Sequence, residues 1–396
     1  MLNSKEITGS IPTLNIGILG YAFMGKAHVN GYKQLSYMMW PPPAVPNLYL
    51  ICGRDEEKVS GAAKRYGFKG YHLDWKELVS DERVDIFDNC APNSLHFKPT
   101  VEAMKNGKHV ICEKPLAVNS KLAYEMYKIS KDVKGKTMVA FNYRFIPAVI
   151  LAKQLINEGR MGKIYHFRAQ YLQEGLVDPD RPLTWRLRRE FAGKGVLGDL
   201  GSHIIDLARY LVGEIAAVSG LTRTFIKERP LSDNTSQKGS VDVDDAFESV
   251  IEFENGAIGT IGASKLCHGR KNYMYFEING SKGSVRFNLE RLDELEVYFA
   301  NEGTKKTLGF KDVMVTEPSH PFTKYWWPHG HIIGWGNLFA HELYHFMDCI
   351  INDKDVTPQG ATFEDGYKVT KICDSIAESS LTGKRMELKF DINKKK

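Results

Sequence analysis

Residues 14 to 25 read LNIGILGYAFMG, a short apolar run that ends in glycines and leads into a helix-forming stretch. A strand that turns on glycine directly into a helix commits the chain to a crossover unit, because a parallel neighbour can be reached only through such a connection. In G-x-G-x-x-G the first glycine makes the tight turn, the second lets the backbone approach a pyrophosphate, and the third lets helix and strand pack closely. Gly20 and Gly25 hold the first and third places, while Ala22 stands at the second. A methyl group is the smallest possible departure, so the amide there and the helix N-terminus can still face phosphates.

The pattern after this turn keeps alternating. Strands are expected at Asn15 to Leu19, Tyr49 to Cys52, Val84 to Cys90, His109 to Cys112 and Thr137 to Phe141, with helices at Met24 to Leu35, Glu56 to Tyr66, Lys98 to Asn106 and Ser120 to Lys131. The stretch SYMMWPPPAVPNL, residues 36 to 48, cannot continue a helix through three prolines and reads as a loop. This is an α/β, doubly wound parallel sheet over residues 12–144. From residue 145 to 396 the style changes to α+β. Two helices, PAVILAKQLINEG and GVLGDLGSHIIDLARYLVG, accompany long alternating strands joined by the hairpin signals ENGA and NGSKG. The expectation is a large, mostly antiparallel open sheet, whose exposed face suggests pairing of subunits. The last helices, near residues 339–351 and 366–380, are candidates to pack back on the first domain.

Composition narrows the function classes. At 396 residues the chain exceeds one typical core, so two domains are expected. The net charge of +5 is spread along the chain, apart from Lys394 to Lys396, which reads as a frayed end; no basic stripe for nucleic acid emerges. No run of 18 apolar residues marks a membrane span, and MLNSKEITGSIPT lacks a signal-peptide core. The six cysteines have no metal-ligand spacing. The expectation is a reducing, cytoplasmic enzyme or binding protein.

Three further stretches carry a family resemblance: CAPNSLH at 90 to 96, GKHVICEKPLA at 107 to 117 and GDLGSHIIDLARYL at 198 to 211. In this order and spacing they resemble the glucose-fructose oxidoreductase, inositol dehydrogenase and MocA family over nearly the whole chain. MGKAH, WPPPAVP, NYRFIPAV, ARYLVGE, VDVDD and GRKNYMYFEINGSKGSV resemble its sugar 3-dehydrogenase branch. The resemblance implies oxidation of a secondary ring hydroxyl, at C3, of a glucopyranose derivative such as a glycoside or anhydro sugar. The hydride acceptor is NAD, or NADP, and the partner is a second copy of the chain as dimer or tetramer. Other outcomes are a cyclitol dehydrogenase acting on inositol, an enzyme that keeps its cofactor and recycles it on a second sugar, and a non-catalytic dinucleotide and sugar sensor.

The candidate cofactor contacts are Gly20, Ala22, Phe23, Met24, Gly25, Arg54, Lys114 and Asn142, to which the resemblance adds Pro92, Asn93, His96 and Glu113. The second strand ends in Gly53 and Arg54 where an acid would bind a ribose diol, so a 2'-phosphate becomes tolerable; Arg54 could also stack on adenine or be solvated. Alcohol oxidation needs a base for the hydroxyl proton and a cation for the developing alkoxide. Lys114 supplies the cation. His203, with an ordinary pKa near ~6.5, supplies the base. Asp199, four residues before it, holds the substrate hydroxyl or orients the imidazole, and Asp206 either braces His203 or accepts a buried hydrogen bond. The resemblance adds Arg144, Gln173, Trp185 and Arg186 as substrate contacts, alongside Lys114, Asp199 and His203. No metal is expected. HELYH at 341 to 345 matches H-E-x-x-H, yet Leu338, Phe339, Leu343, Phe346 and Ile350 make it an amphipathic packing helix without a third ligand. The aromatic run PFTKYWWPHGHIIGWGN, residues 321 to 337, reads as a pocket wall or a subunit contact.

Overall fold

The computed structural model describes residues 10–232 and 236–390. The expectations for the first nine residues and for the Lys394 to Lys396 tail lie outside the described residues. Six parallel strands come first: β1 (Thr13–Leu19), β2 (Val45–Cys52), β3 (Gly70–His72), β4 (Ile86–Asn89), β5 (His109–Glu113) and β6 (Thr137–Ala140). Their order is β3-β2-β1-β4-β5-β6, so the chain reverses direction across the sheet between β1 and β4. That switch opens a crevice at the strands' carboxyl ends, where Gly20 and Cys90 lie. Helices α1 (Phe23–Met38), α2 (Glu56–Tyr66), α3 (Trp75–Ser80), α4 (Phe97–Lys105) and α5 (Ser120–Ser130) make the crossovers.

Two expectations for this half change. The proline stretch is not one loop: α1 runs to Met38, and β2 already starts at Val45 and includes Pro46. Pro46 pairs with Leu14 on one side only, because β3 joins β2 no earlier than Leu50, so its missing N–H breaks no ladder. In addition, β3 and α3 occupy a stretch the sequence left without elements. At three and six residues they are too short to show a period.

Beyond α6 (Pro147–Asn157), β7 (Ile164–Leu172), α7 (Arg189–Ala192) and α8 (Ser202–Leu211) come the remaining strands. They are β8 (Ile215–Arg223), β9 (Glu228–Pro230), β10 (Lys238–Ser240), β11 (Ala246–Phe253), β12 (Ile258–Ser264), β13 (Tyr273–Gly280), β14 (Gly283–Asn288), β15 (Glu294–Phe299), β16 (Lys311–Met314) and β17 (Met386–Glu387). All of these except β9 and β10 join β7 in one nine-stranded sheet, β16-β15-β14-β13-β7-β12-β11-β8-β17, antiparallel except where β12 lies beside β7. One face is covered by helices. The other leaves Leu221, Val250 and Ile258 open to solvent, each more than half exposed.

The final helices, α9 (Leu338–Ile351) and α10 (Phe363–Thr382), return to the first sheet. A Cβ on Gly31 of α1 would come within 2.8 Å of Phe339, and one on Gly366 would come within 2.8 Å of Leu116, so both contacts are at backbone range. The amide of Val139 donates to the carbonyl of Ala361 (2.8 Å). One apolar cluster therefore runs from Leu116 and Val139 through Phe363 and Ile376 to Phe167 and Phe276, joining the two sheets. No helix among the described residues is long and apolar enough to cross a membrane.

Candidate active site

The glycine turn shows which positions need glycine. Gly20 sits at φ +104°, a left-handed conformation that a side chain would strain, and a Cβ on Gly25 would lie 2.0 Å from the carbonyl oxygen of Gly20. Ala22 is the N-cap of α1 at φ −78°, which any residue adopts, and its methyl is exposed. No side chain caps this helix, so its first N–H groups remain available to an anion. A dinucleotide's pyrophosphate fits that cradle. At the end of β2, a Cβ on Gly53 would lie 2.2 Å from the ring of Tyr21, so a side chain there would have to displace that ring. Asp55 is occupied as the N-cap of α2, accepting from the amide of Lys58 (3.1 Å) and pairing with its ammonium (2.6 Å). Arg54 is exposed.

Behind the cradle lies a buried relay. His28 of α1 shares its Nδ1 with Asp88 (2.8 Å) and its Nε2 with Glu113 (3.0 Å), and the other Glu113 oxygen accepts from the amide of Lys114 (3.0 Å). Burial disfavours a charged ring, but Asp88 beside it raises the His28 pKa well above the ordinary value. Glu113 is thus turned inward to hold the backbone of Lys114. His96 is likewise fully buried, with Nδ1 against the carbonyl of Pro115 (2.8 Å) and Nε2 against that of Ala91 (3.0 Å). It braces the turns that carry the site and offers no free nitrogen to a ligand. Pro92 caps the short turn Asn93–Leu95, and the Asn93 amide donates to the carbonyl of Ala192 (3.0 Å), tying α7 to the cofactor side. Asn142 lies buried in the turn Asn142–Phe145.

The candidate reacting groups converge from distant segments. Lys114 Nζ donates to Asp199 Oδ1 (2.8 Å) and to the Asp199 carbonyl (2.9 Å), and Lys265 Nζ pairs with Asp199 Oδ2. Burial alone would raise the Asp199 carboxyl, but Lys114 and then Lys265 outweigh it and hold it well below the usual carboxylate range. His203 lies with its ring 4.3 Å from that of Tyr143, and its Nδ1 is buried without a hydrogen-bond partner. Burial, reinforced by the Lys114 ammonium, pushes its pKa well below 6.5. The expectation of an ordinary imidazole is corrected accordingly: the ring is neutral, and Asp199 faces two lysines instead of orienting it. From Tyr143 a chain of hydrogen bonds runs through Tyr171 (2.7 Å) to Asn272 (2.8 Å), which also accepts from Gln173 (2.7 Å).

The helix that carries these groups begins irregularly. Leu197–Gly201 is a π-turn that continues into α8, the kind of widened turn often found at functional sites. Asp244 caps it from outside, accepting from the amides of Gly195 (2.9 Å) and Leu197 (2.6 Å). A Cβ on Gly195 would lie 1.9 Å from the Asp244 carbonyl. Neither Asp244 nor Lys265 was among the expected residues. VDVDD was noticed only as a resemblance, and a lysine after a strand carries no spacing signal.

Other expected contacts fall elsewhere. Arg144 is buried in a bidentate pair with Asp206 (2.6 and 2.8 Å), so it supports the helices and does not face substrate, and Asp206 braces Arg144, not His203. Arg186 lies over the ring of Trp185 at 4.4 Å, and among the described residues neither bonds to Lys114, Asp199 or His203. In HELYH, His341 is held between the Phe145 carbonyl (3.0 Å) and the Trp326 indole N–H (2.6 Å), while His345 bonds the Val356 carbonyl (2.8 Å). Glu342 is fully buried, and that burial pushes its pKa well up, so it is a neutral acid. Of the aromatic run, Trp335 stacks on Phe23 at the glycine turn (5.4 Å), Trp326 meets His341, and Trp335 with Asn272 lines a cavity of about 350 Å³. This segment is therefore a wall beside the cofactor turn.

Residues 14–141 match the model described as "Oxidoreductase family, NAD-binding Rossmann fold", and residues 149–286 match "GFO/IDH/MocA C-terminal domain". Levoglucosan dehydrogenase of Pseudarthrobacter phenanthrenivorans is 42% identical, covering 93% of this chain and 96% of its own. Its solved complex with NADH and levoglucosan superposes with a TM-score of 0.91 at 42% identity, covering 95% of this chain and 99% of that one. D-glucoside 3-dehydrogenase of Escherichia coli is 25% identical over 86% of this chain and 90% of its own. With both halves matched and a relative this similar over almost its full length, the chain belongs to the GFO/IDH/MocA oxidoreductase family.

Proposed function

We propose that this protein is an NAD-dependent dehydrogenase that oxidises the C3 hydroxyl of a glucopyranose derivative, an anhydro sugar or a glycoside, to the keto sugar. The observation that carries the reading is the Lys114, Asp199 and His203 cluster at the mouth of a dinucleotide cradle. The relatives' names supply the substrate class: levoglucosan for a relative at 42% identity, and glucoside C3 for one at 25%.

The bound nicotinamide supplies the hydride acceptor. The chain's own residues do the rest. Lys114 has three N–H donors, and two are committed to Asp199, so the third is free for the sugar oxygen. The neutral imidazole of His203 takes the hydroxyl proton as the C–H hydride leaves; with Nδ1 sealed, Nε2 is the receiving atom. Two ammoniums against one carboxylate leave the cluster with one positive charge, which stabilises the developing alkoxide in a partly dry site. Tyr143, Tyr171, Asn272 and Gln173 fix the wall against which the sugar lies.

The test is a screen of levoglucosan, methyl glucosides, inositol and free sugars with NAD and NADP, followed by NMR assignment of the ketone. Oxidation of levoglucosan or a glucoside at C3 supports the reading. Preferential oxidation of inositol, or a ketone at another carbon, replaces it.

A further inference from the structure

Lys265 stands at the end of β12, and its backbone is pinned on both sides. Its amide donates to the Asp245 carbonyl (3.3 Å), and its own carbonyl accepts from the amide of Leu176 (3.0 Å). Its side chain, only 12% exposed, ends on Asp199 Oδ2, the carboxylate oxygen that Lys114 does not use. We propose that Lys265 is a positioning residue for the oxidation: by occupying Asp199 Oδ2 it keeps Lys114 on Oδ1 alone and leaves the cluster with one net positive charge at the reacting oxygen. The inference rests on the catalytic reading of Lys114, Asp199 and His203 given above.

The physical consequence follows from charge. Without Lys265 the Lys114–Asp199 pair is neutral, and the carboxylate is free to rotate and engage Lys114 with both oxygens. The alkoxide then loses its uncompensated cation, and the imidazole becomes easier to protonate because Asp199 is no longer shared. The charged and titratable groups that face Asp199 are Lys114 after β5, Lys265 after β12, His203 on α8 and the Tyr171 hydroxyl on β7; the Tyr143 hydroxyl in the interdomain turn lies near Lys114. Only Lys265 among them can be changed without removing a group proposed to touch substrate or to pack on His203.

The experiment compares Lys265→Met and Lys265→Arg with the wild type in the full chain, using levoglucosan or whichever sugar the screen selects. In the methionine variant the acid limb of kcat/KM should move up by roughly one pH unit, the low end of what a neighbouring charge produces. The plateau should fall roughly tenfold, less than the roughly 10²–10³-fold for removing a direct donor to a developing charge, because Lys265 acts through Asp199. NADH binding and melting temperature should stay at wild-type values, and arginine should restore most of the rate. A second readout needs no substrate: in aspartate labelled with 13C at the carboxyl, assigned with Asp199→Asn, the Asp199 resonance should titrate at higher pH in Lys265→Met. An unmoved limb together with an unmoved Asp199 titration overturns the proposal. Equal losses of rate and melting temperature in both variants overturn it too, because they mark a merely structural lysine. If Lys114→Ala keeps normal turnover, the catalytic reading itself fails; a large loss of turnover in Lys114→Ala with no effect at Lys265 fails this inference alone.

Discussion

Two aspartates seven residues apart on one helical segment end in opposite surroundings. Asp199 lies on the π-turn, its side chain 30% exposed, sharing two lysines at the edge of the cleft. Asp206 lies two turns on, its side chain 1% exposed and gripped by Arg144, with Asp365 and Arg209 completing a buried network. Burial raises the Asp206 pKa even against Arg144, whereas Lys114 and Lys265 overcome burial at Asp199 and lower it. The same residue type in one motif thus sits where charge is left unbalanced and open, as the proposed chemistry requires, and braces buried helices where it is balanced and closed.

The comparison can be broken at its most sensitive point. Lys114→Ala and His203→Ala should each cut turnover by roughly 10²–10⁴-fold, the range for losing a positioned acid, base or charge stabiliser. NADH formation measures this, and the melting temperature should stay near wild type. If either variant turns over normally, the open cluster is not the reaction centre. Asp206→Ala should do the reverse, destabilising by about 3–5 kcal/mol because Arg144 is left buried and uncompensated. The paired change Arg144→Met with Asp206→Leu should recover much of that loss in denaturant unfolding, since a buried ion pair contributes little net stability over an apolar pair. A large kcat loss with intact stability in Asp206→Ala would instead move Asp206 into the chemistry.

The pH dependence sharpens the contrast further. Because burial and Lys114 lower the His203 pKa, the imidazole stays neutral and able to accept a proton through pH 6.5. The kcat/KM profile should therefore show no acid limb near 6.5 and should fall only well below it. For stability the sign is the same. A lowered histidine pKa means that the unfolded chain binds the proton first, so this contribution is complete above 6.5 and is lost as pH falls. The smallest effects belong to the glycine turn. Gly25→Ala, which would push a methyl 2.0 Å from the Gly20 oxygen, should weaken NADH binding by roughly tenfold or more, about 1.4 kcal/mol. Ala22→Gly should change stability by no more than about 0.5 kcal/mol, because an N-cap accepts glycine at little cost.

Much of the first sheet was legible because its signals are local. A short apolar run, a glycine and a helix declare themselves within a dozen residues, as at Leu14 to Gly25. Helix α8 was legible for the same reason, since Leu200, Ile204, Leu207 and Leu211 recur at helical spacing and all are buried. The faces of that helix were not. A 3.6-residue period placed Asp199, His203 and Asp206 on one side, but the π-turn widens the helix at Asp199, and the partners that sort the three polar groups come from residues 114, 144 and 265.

The sequence by itself determined that a glycine turn, an EKP strand end and a GDxGxHxxD helix occur in one chain, and hence its fold class and its reaction chemistry in outline. It also showed Ala22 to be the smallest possible departure from the glycine pattern; the structure then made it harmless, because its φ of −78° is one that any residue adopts. Tertiary structure alone decided that Lys265 joins Asp199, that Arg144 belongs to Asp206, that Glu113 and His96 turn inward, and that the histidines of HELYH spend their nitrogens on Phe145, Trp326 and Val356. The reason is physical. Backbone periodicity and turn chemistry act over a few residues, whereas the pairing of a buried charge depends on which distant groups share its low-dielectric surroundings, and only the folded chain sets that.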